Sequence, residues 1–177
     1  MRGQAKGHLV NASLCTDIAI DSPHWTAALA DAEALAAAAV DAVWRRAGDN
    51  AGDAEVSIVL GDDAMIRQLN SRFRDRDQAT NVLSFPADDD GSCDMPHLLG
   101  DIILAYETIA REAQEQKKPI EDHFQHLCVH GMLHLLGHDH ETDTEAMKME
   151  QLEVAILATL NIGDPYVIEA AAVKRQA

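Results

Sequence analysis

Residues 128–141 read CVHGMLHLLGHDHE and contain four of the chain's nine histidines. The stretch closes a longer apolar-rich segment, IEDHFQHLCVHGMLHLL, which reads as one helix running from Pro119 to Gly137. On a helix, residues four apart stand one above the other, so His130 and His134 present imidazoles from adjacent turns. That spacing suits a single metal ion, because zinc holds nitrogen at about 2.0–2.1 Å and its ligands must crowd together. His126 continues the row but lies about 12 Å along the axis from His134, too far to share an ion. Gly137 can take a positive φ, end the helix and turn the chain back towards the pair. His138 and His140 both follow it, and spacing alone does not choose between them.

The whole string does choose. HGMLHLLGHDH fits the H-x-x-x-H-x-x-G-x-x-H frame of the metzincin zinc peptidases, with the glycine and last histidine in register. The frame makes His130, His134 and His140 the ligands of one zinc ion per chain, with His138 as a neighbour. Asp139 is then an outer partner placed to orient an imidazole. Three protein ligands leave a fourth position for water, which marks a catalytic site, and water there is acidified towards neutrality. In peptidases of this frame a glutamate follows the first histidine and handles the proton. Here the residue is Gly131, which argues against peptide hydrolysis.

Outward from this segment, helices and strands mix without strict alternation. LCTDIAID reads as a strand, and SPHW as a helix start capped by Ser22 with Pro23 in its first position. The alanine-rich stretch from there to Arg46 reads as one helix. AEVSIVL is a β-branched strand, and DDAMIRQLNSRFR a helix with Asp62 or Asp63 as cap. TNVLSFP and LLGDIILAY are strands on either side of the acidic loop ADDDGSCDMPH. ETIAREAQEQKK and EAMKMEQLEVAILATLN are the remaining helices. The pattern predicts an α+β class: a single domain with a small mixed β-sheet, about five helices and the zinc motif on a helix-turn. Its expected limits are residues 13–163, between a flexible N-terminus (1–12) and a C-terminal tail (164–177).

Composition bounds the function. At 177 residues with 47% hydrophobic and 25% charged side chains, the chain can bury a real core. No apolar run approaches the roughly 20 residues of a membrane span, so no membrane partner is expected. MRGQAKGHLV lacks the long apolar stretch of a signal peptide. Cys15, Cys93 and Cys128 are odd in number and far apart, which fits a reducing cytoplasm, and Cys128 reads as core rather than ligand. The formal charge of −16 repels polyanions at long range, so a nucleic-acid substrate needs a local basic patch.

With these residues assembled, the chain resembles the YbeY family of bacterial zinc-dependent endoribonucleases. HGMLHLLGHDH matches that family's signature, in which glycine normally follows the first histidine. LNSRFRDRDQATNVLSFP (69–86) and LLGDIIL (98–104) resemble two further family blocks, and the similarity runs from about Glu55 to Leu160. The resemblance implies an α+β fold, cleavage of single-stranded RNA and maturation of ribosomal RNA, chiefly at the small-subunit 16S 3′ end. It also implies ribosome quality control, partners on the ribosome or among its proteins, and a cytoplasmic address. Arg74 occupies the family's aromatic-Arg position at the catalytic cleft, where a guanidinium suits a phosphate and can stabilise developing charge. Arg67, Arg72 and Arg76 read as a solvated helix end, and Ser84 is a second candidate for substrate contact. Two rival functions are a metzincin-like zinc peptidase, with Glu141 or Glu145 as base, and a non-catalytic ribosome-assembly factor with structural zinc.

Overall fold

The computed structural model describes residues 12–48, 52–88 and 96–167. Residues 1–11 of the expected N-terminal segment (1–12), the heart of the acidic loop (89–95) and the expected tail from 168 onward lie outside the described residues. In chain order the elements are β1 (Leu14–Ile20), α1 (His24–Ala28), α2 (Ala32–Ala47), β2 (Ala54–Gly61) and α3 (Asp63–Arg74). There follow β3 (Val82–Pro86), β4 (His97–Ala105), α4 (Tyr106–Gln116), α5 (Ile120–Leu135) and α6 (Asp143–Thr159). The class is α+β, as the mixture of periodicities predicts.

The strands form one sheet in the order β1-β2-β4-β3. β1, β2 and β4 are parallel, and β3 pairs antiparallel with β4 along the edge. Alternation of side chains across the pleat explains the two-sided core. Val56, Ile58 and Leu60 of β2, with Ile102 and Leu104 of β4, are buried in the main cluster shared with α2, α5 and α6. Ile103 and Ala105 of β4 instead join Leu83 of β3 and Ile66 of α3 in a smaller cluster. β1, on the other edge, alternates half-buried and exposed positions.

Six helices form among the described residues rather than about five, because the alanine-rich stretch breaks between Ala28 and Ala32. Alanine favours helix without dictating its direction, and here tertiary anchors decide. Trp25 is fully buried, donates its indole N–H to the Gly61 carbonyl at 2.8 Å and packs on Phe124; Leu29 is buried just beyond it in extended backbone. Ser22 does not cap α1: Pro23 takes the cap position, while the buried Ser22 gives its amide to the Leu60 carbonyl at 3.1 Å. Asp62 does cap α3, accepting the Met65 amide at 2.8 Å.

α5 lies at the centre of the fold. Phe124, Leu127, Cys128, Val129, Met132 and Leu133 are all buried on it. Its approach to the sheet is set by Gly131. A Cβ at that position would stand 2.9 Å from Ile102 Cγ2 and 3.1 Å from Ser84 Oγ. Ser84 uses the space, donating its hydroxyl to the Gly131 carbonyl at 3.0 Å and so tying β3 to α5. A glutamate here would point into the sheet, which gives a packing reason for the glycine that the spacing of the motif cannot supply.

Candidate metal centre

The end of α5 builds the site. Gly137 stands at φ +84°, the Gly137 amide donates to the His134 carbonyl and the His138 amide to the Leu133 carbonyl, each at 3.0 Å. This paired closure is a Schellman motif, in which glycine carries the left-handed residue without the steric cost a Cβ brings. The chain reverses through it, and Asp139 Oδ1 accepts the His140 amide at 2.7 Å to hold the returning turn. His140 is thereby brought back over the pair on the helix, its ring centroid 5.6 Å from that of His130 and 5.0 Å from that of His134.

Nε2 of His130 and Nε2 of His134 stand 3.1 Å apart, and one ring nitrogen from each of the three histidines falls within a 4.8 Å group. Nitrogens around one tetrahedral zinc lie about 3.3 Å apart, so the three are close enough that they could hold one metal ion. His134 is half-buried; its burial and the neighbouring His130 and His140 lower its pKa, favouring the neutral ring that ligates metal. No other group of three such side chains meets this criterion among the described residues. His138 reaches the same cleft outside that group, and Cys128 is buried in the core with its thiol pKa pushed up by burial.

Asp139 meets its neighbour through the backbone amide, and its charge partly offsets the lowering of the His134 pKa. The carboxylate hydrogen-bonded to one of the three imidazoles is Glu153 of α6, a residue that the sequence motif does not single out. Glu153 is 1% exposed and its Oε1 accepts from His130 Nδ1 at 2.7 Å. Its Oε2 accepts from His126 Nε2 at 3.0 Å and from the Tyr166 hydroxyl. Burial opposes the charge, but the hydrogen bonds from His126, His130 and Tyr166 overcome it and hold the carboxyl down at about 2. A sequence signal existed: Glu153 sits four residues after Met149 and three before Ile156, on the apolar stripe of α6. A charge at a core position needs a partner.

The three histidines open into a cleft of about 570 Å³, whose facing wall includes Arg74 at the end of α3 and Ser84 on β3. Arg74 Nη2 lies 3.5 Å from the Ser84 carbonyl and its guanidinium is otherwise exposed. Arg67 is held by Asp77 in a two-pronged pair at 2.6 and 3.0 Å, and Arg72 lies over the Phe73 ring at 5.2 Å. Of the four clustered arginines, Arg74 is the one that lines the cleft. Glu141 lines it too, whereas Glu145 is engaged in the capping box of α6 with Thr142.

A family model described as endoribonuclease YbeY matches residues 19–161. An endoribonuclease YbeY of Bradyrhizobium sp. is 52% identical over 140 residues, covering 77% of this chain and 83% of its own. Another, of Paramagnetospirillum magneticum, is 52% identical over 160 residues, covering 85% of this chain and 95% of its own. The solution structure of TM1509 from Thermotoga maritima superposes with a TM-score of 0.54 at 21% identity, over 82% of this chain and 91% of that one, a likeness of fold.

Proposed function

The chain belongs to the endoribonuclease YbeY family, and from that membership we propose that it is a zinc-dependent hydrolase of single-stranded RNA. Its field of action is ribosomal RNA processing, chiefly maturation of the 16S 3′ end, and ribosome quality control in the cytoplasm. The observation that supports this reading most directly is one cleft lined by three convergent imidazoles and by the Arg74 guanidinium, which has no carboxylate partner among the described residues. His130, His134 and His140 are the residues to hold the ion; when bound, it supplies a Lewis acid and an acidified water. Arg74 binds the scissile phosphate and offsets the charge that gathers on it. Asp139 secures the turn carrying His140. Ser84, whose hydroxyl proton is committed to Gly131, contributes the carbonyl that steadies Arg74 and a cleft wall for the substrate.

The open cleft suits catalysis better than a closed structural ion, and the missing glutamate at position 131 weighs against a peptidase. With a formal charge of −16, the protein is poorly suited to capture free RNA, so a ribosomal partner presents the substrate. The test is incubation of purified protein with single-stranded ribosomal RNA and, separately, casein, each with and without chelator. RNA cleavage that chelator abolishes and zinc restores is the expected result, with His134→Ala inactive and lacking stoichiometric metal. Chelator-sensitive proteolysis without RNA cleavage would return the assignment to a peptidase.

A further inference from the structure

We propose that Glu153 is the positioning residue of the metal centre and that His126 and Tyr166 hold it there, so that metal affinity is set partly by side chains that never touch the ion. The proposal rests on the reading of His130, His134 and His140 as ligands. An imidazole can offer a lone pair from one nitrogen only if the proton resides on the other. His130 has Nδ1 2.7 Å from Glu153 Oε1, while its Nε2 faces His134 Nε2 at 3.1 Å. The carboxylate therefore retains the proton on Nδ1 and leaves Nε2 free to ligate.

Glu153 itself must be held. At 1% exposure it has almost no water to solvate its charge, and a carboxylate so placed is stable only when donors surround it. His126 is one donor, which gives a function to the histidine that continues the row along α5 but stands too far from the ion. Tyr166 is the other, and it comes from beyond α6. Its amide donates to Asp164 Oδ1 at 2.9 Å, and the neighbouring Pro165 carbonyl accepts from Lys118 Nζ, next to the start of α5. The Tyr166 and His126 rings meet edge to face, 5.7 Å apart at 85°. Residues 164–166, which the sequence suggests are the start of a tail, are thus tied to Glu153 of α6 and to the start of α5.

A buried carboxylate between α5 and α6 also ties two helices together, so the test must separate affinity from folding. The full chain is stripped of metal and titrated with zinc against a chromogenic chelator, alongside unfolding of the metal-free protein and the absorption spectrum of the cobalt-loaded form. Glu153→Gln is expected to keep one site but weaken it on the order of 10–100-fold. Tyr166→Phe and His126→Gln are expected to weaken it several-fold, and the cobalt bands of Glu153→Gln to shift even at saturation. Folded variants with the parent's zinc affinity and cobalt spectrum would overturn the proposal and leave Glu153 as a structural anion. If Glu153→Gln does not fold, the Tyr166 and His126 variants decide by the same measure. A parent chain that takes up no stoichiometric zinc removes the triad reading, and the proposal with it.

Discussion

Arg74 and the three histidines face one cleft, yet they should fail differently when removed. Guanidinium stays protonated and offers only donors, so it is no metal ligand. Arg74→Ala is therefore expected to fold and keep its metal while single-turnover RNA cleavage falls by about 10²–10³-fold, as for other lost transition-state donors. Arg74→Lys should recover only part, because an ammonium lacks the planar fork. Arg67→Ala should cost much less, since that side chain is already committed to Asp77. Cleavage by Arg74→Ala at the parent rate would reduce Arg74 to a solvated helix end. The residues that sequence exposes most readily are those whose relation is local. His130 and His134 are one turn apart on the same helix, and Gly137 announces where it stops. The choice of His140 over His138 needed the longer frame. Glu153 escaped because it meets His130 across 23 residues, through helix packing that spacing does not encode.

At the level of elements, local periodicity predicted the strands and most helices, while junctions answered to tertiary partners. α1 and α2 separate where Trp25 and Leu29 enter the core, a break that no glycine or proline marks. A second long-range device joins α4, α5 and the entry to β3. Glu112 of α4 accepts from His123 of α5 at 2.8 Å and from the Asn81 amide at 3.0 Å, while Asn81 Oδ1 takes the Val82 amide at 2.7 Å. Asn81 also lines the cleft, so this brace helps seat the wall opposite the histidines. Burial works against the Glu112 charge, but the hydrogen bonds from His123 and Asn81, with the charges of His123 and Arg111, hold its carboxyl below the usual range. A depressed carboxylate stabilises the fold above its unfolded-state pKa, about 4.3, and that contribution is lost as pH falls through the folded value. Glu112→Gln should thus be less stable than the parent near neutrality, with the gap closing below about pH 4. Paired denaturant titrations across that range measure it; a gap independent of pH would mean the carboxylate's charge contributes nothing.

At the scale of the whole molecule, the charge balance opposes the substrate. Thirty acidic residues face fourteen lysines and arginines, for a formal charge of −16, while the cleft itself presents Arg74 beside Asp139 and Glu141. The two fields differ in reach. Repulsion by the net charge extends about 30 Å at 0.01 M ionic strength but only about 10 Å at 0.1 M, whereas a guanidinium on a phosphate acts at contact. Raising salt over the lower range should therefore lift the repulsion faster than it weakens the contact, and kcat/KM on single-stranded RNA should rise. Above about 0.2 M the phosphate contacts weaken in turn and the rate should fall. A basic nuclease, attracted at every distance, would lose activity from the lowest salt upward. The measurement is kcat/KM against potassium acetate at fixed zinc, with Arg74→Ala alongside. The variant should retain the rising limb, which belongs to the whole surface, and show a flatter fall. A parent profile that only declines from the lowest salt would show that the local field at the cleft, not the net charge, governs encounter with RNA.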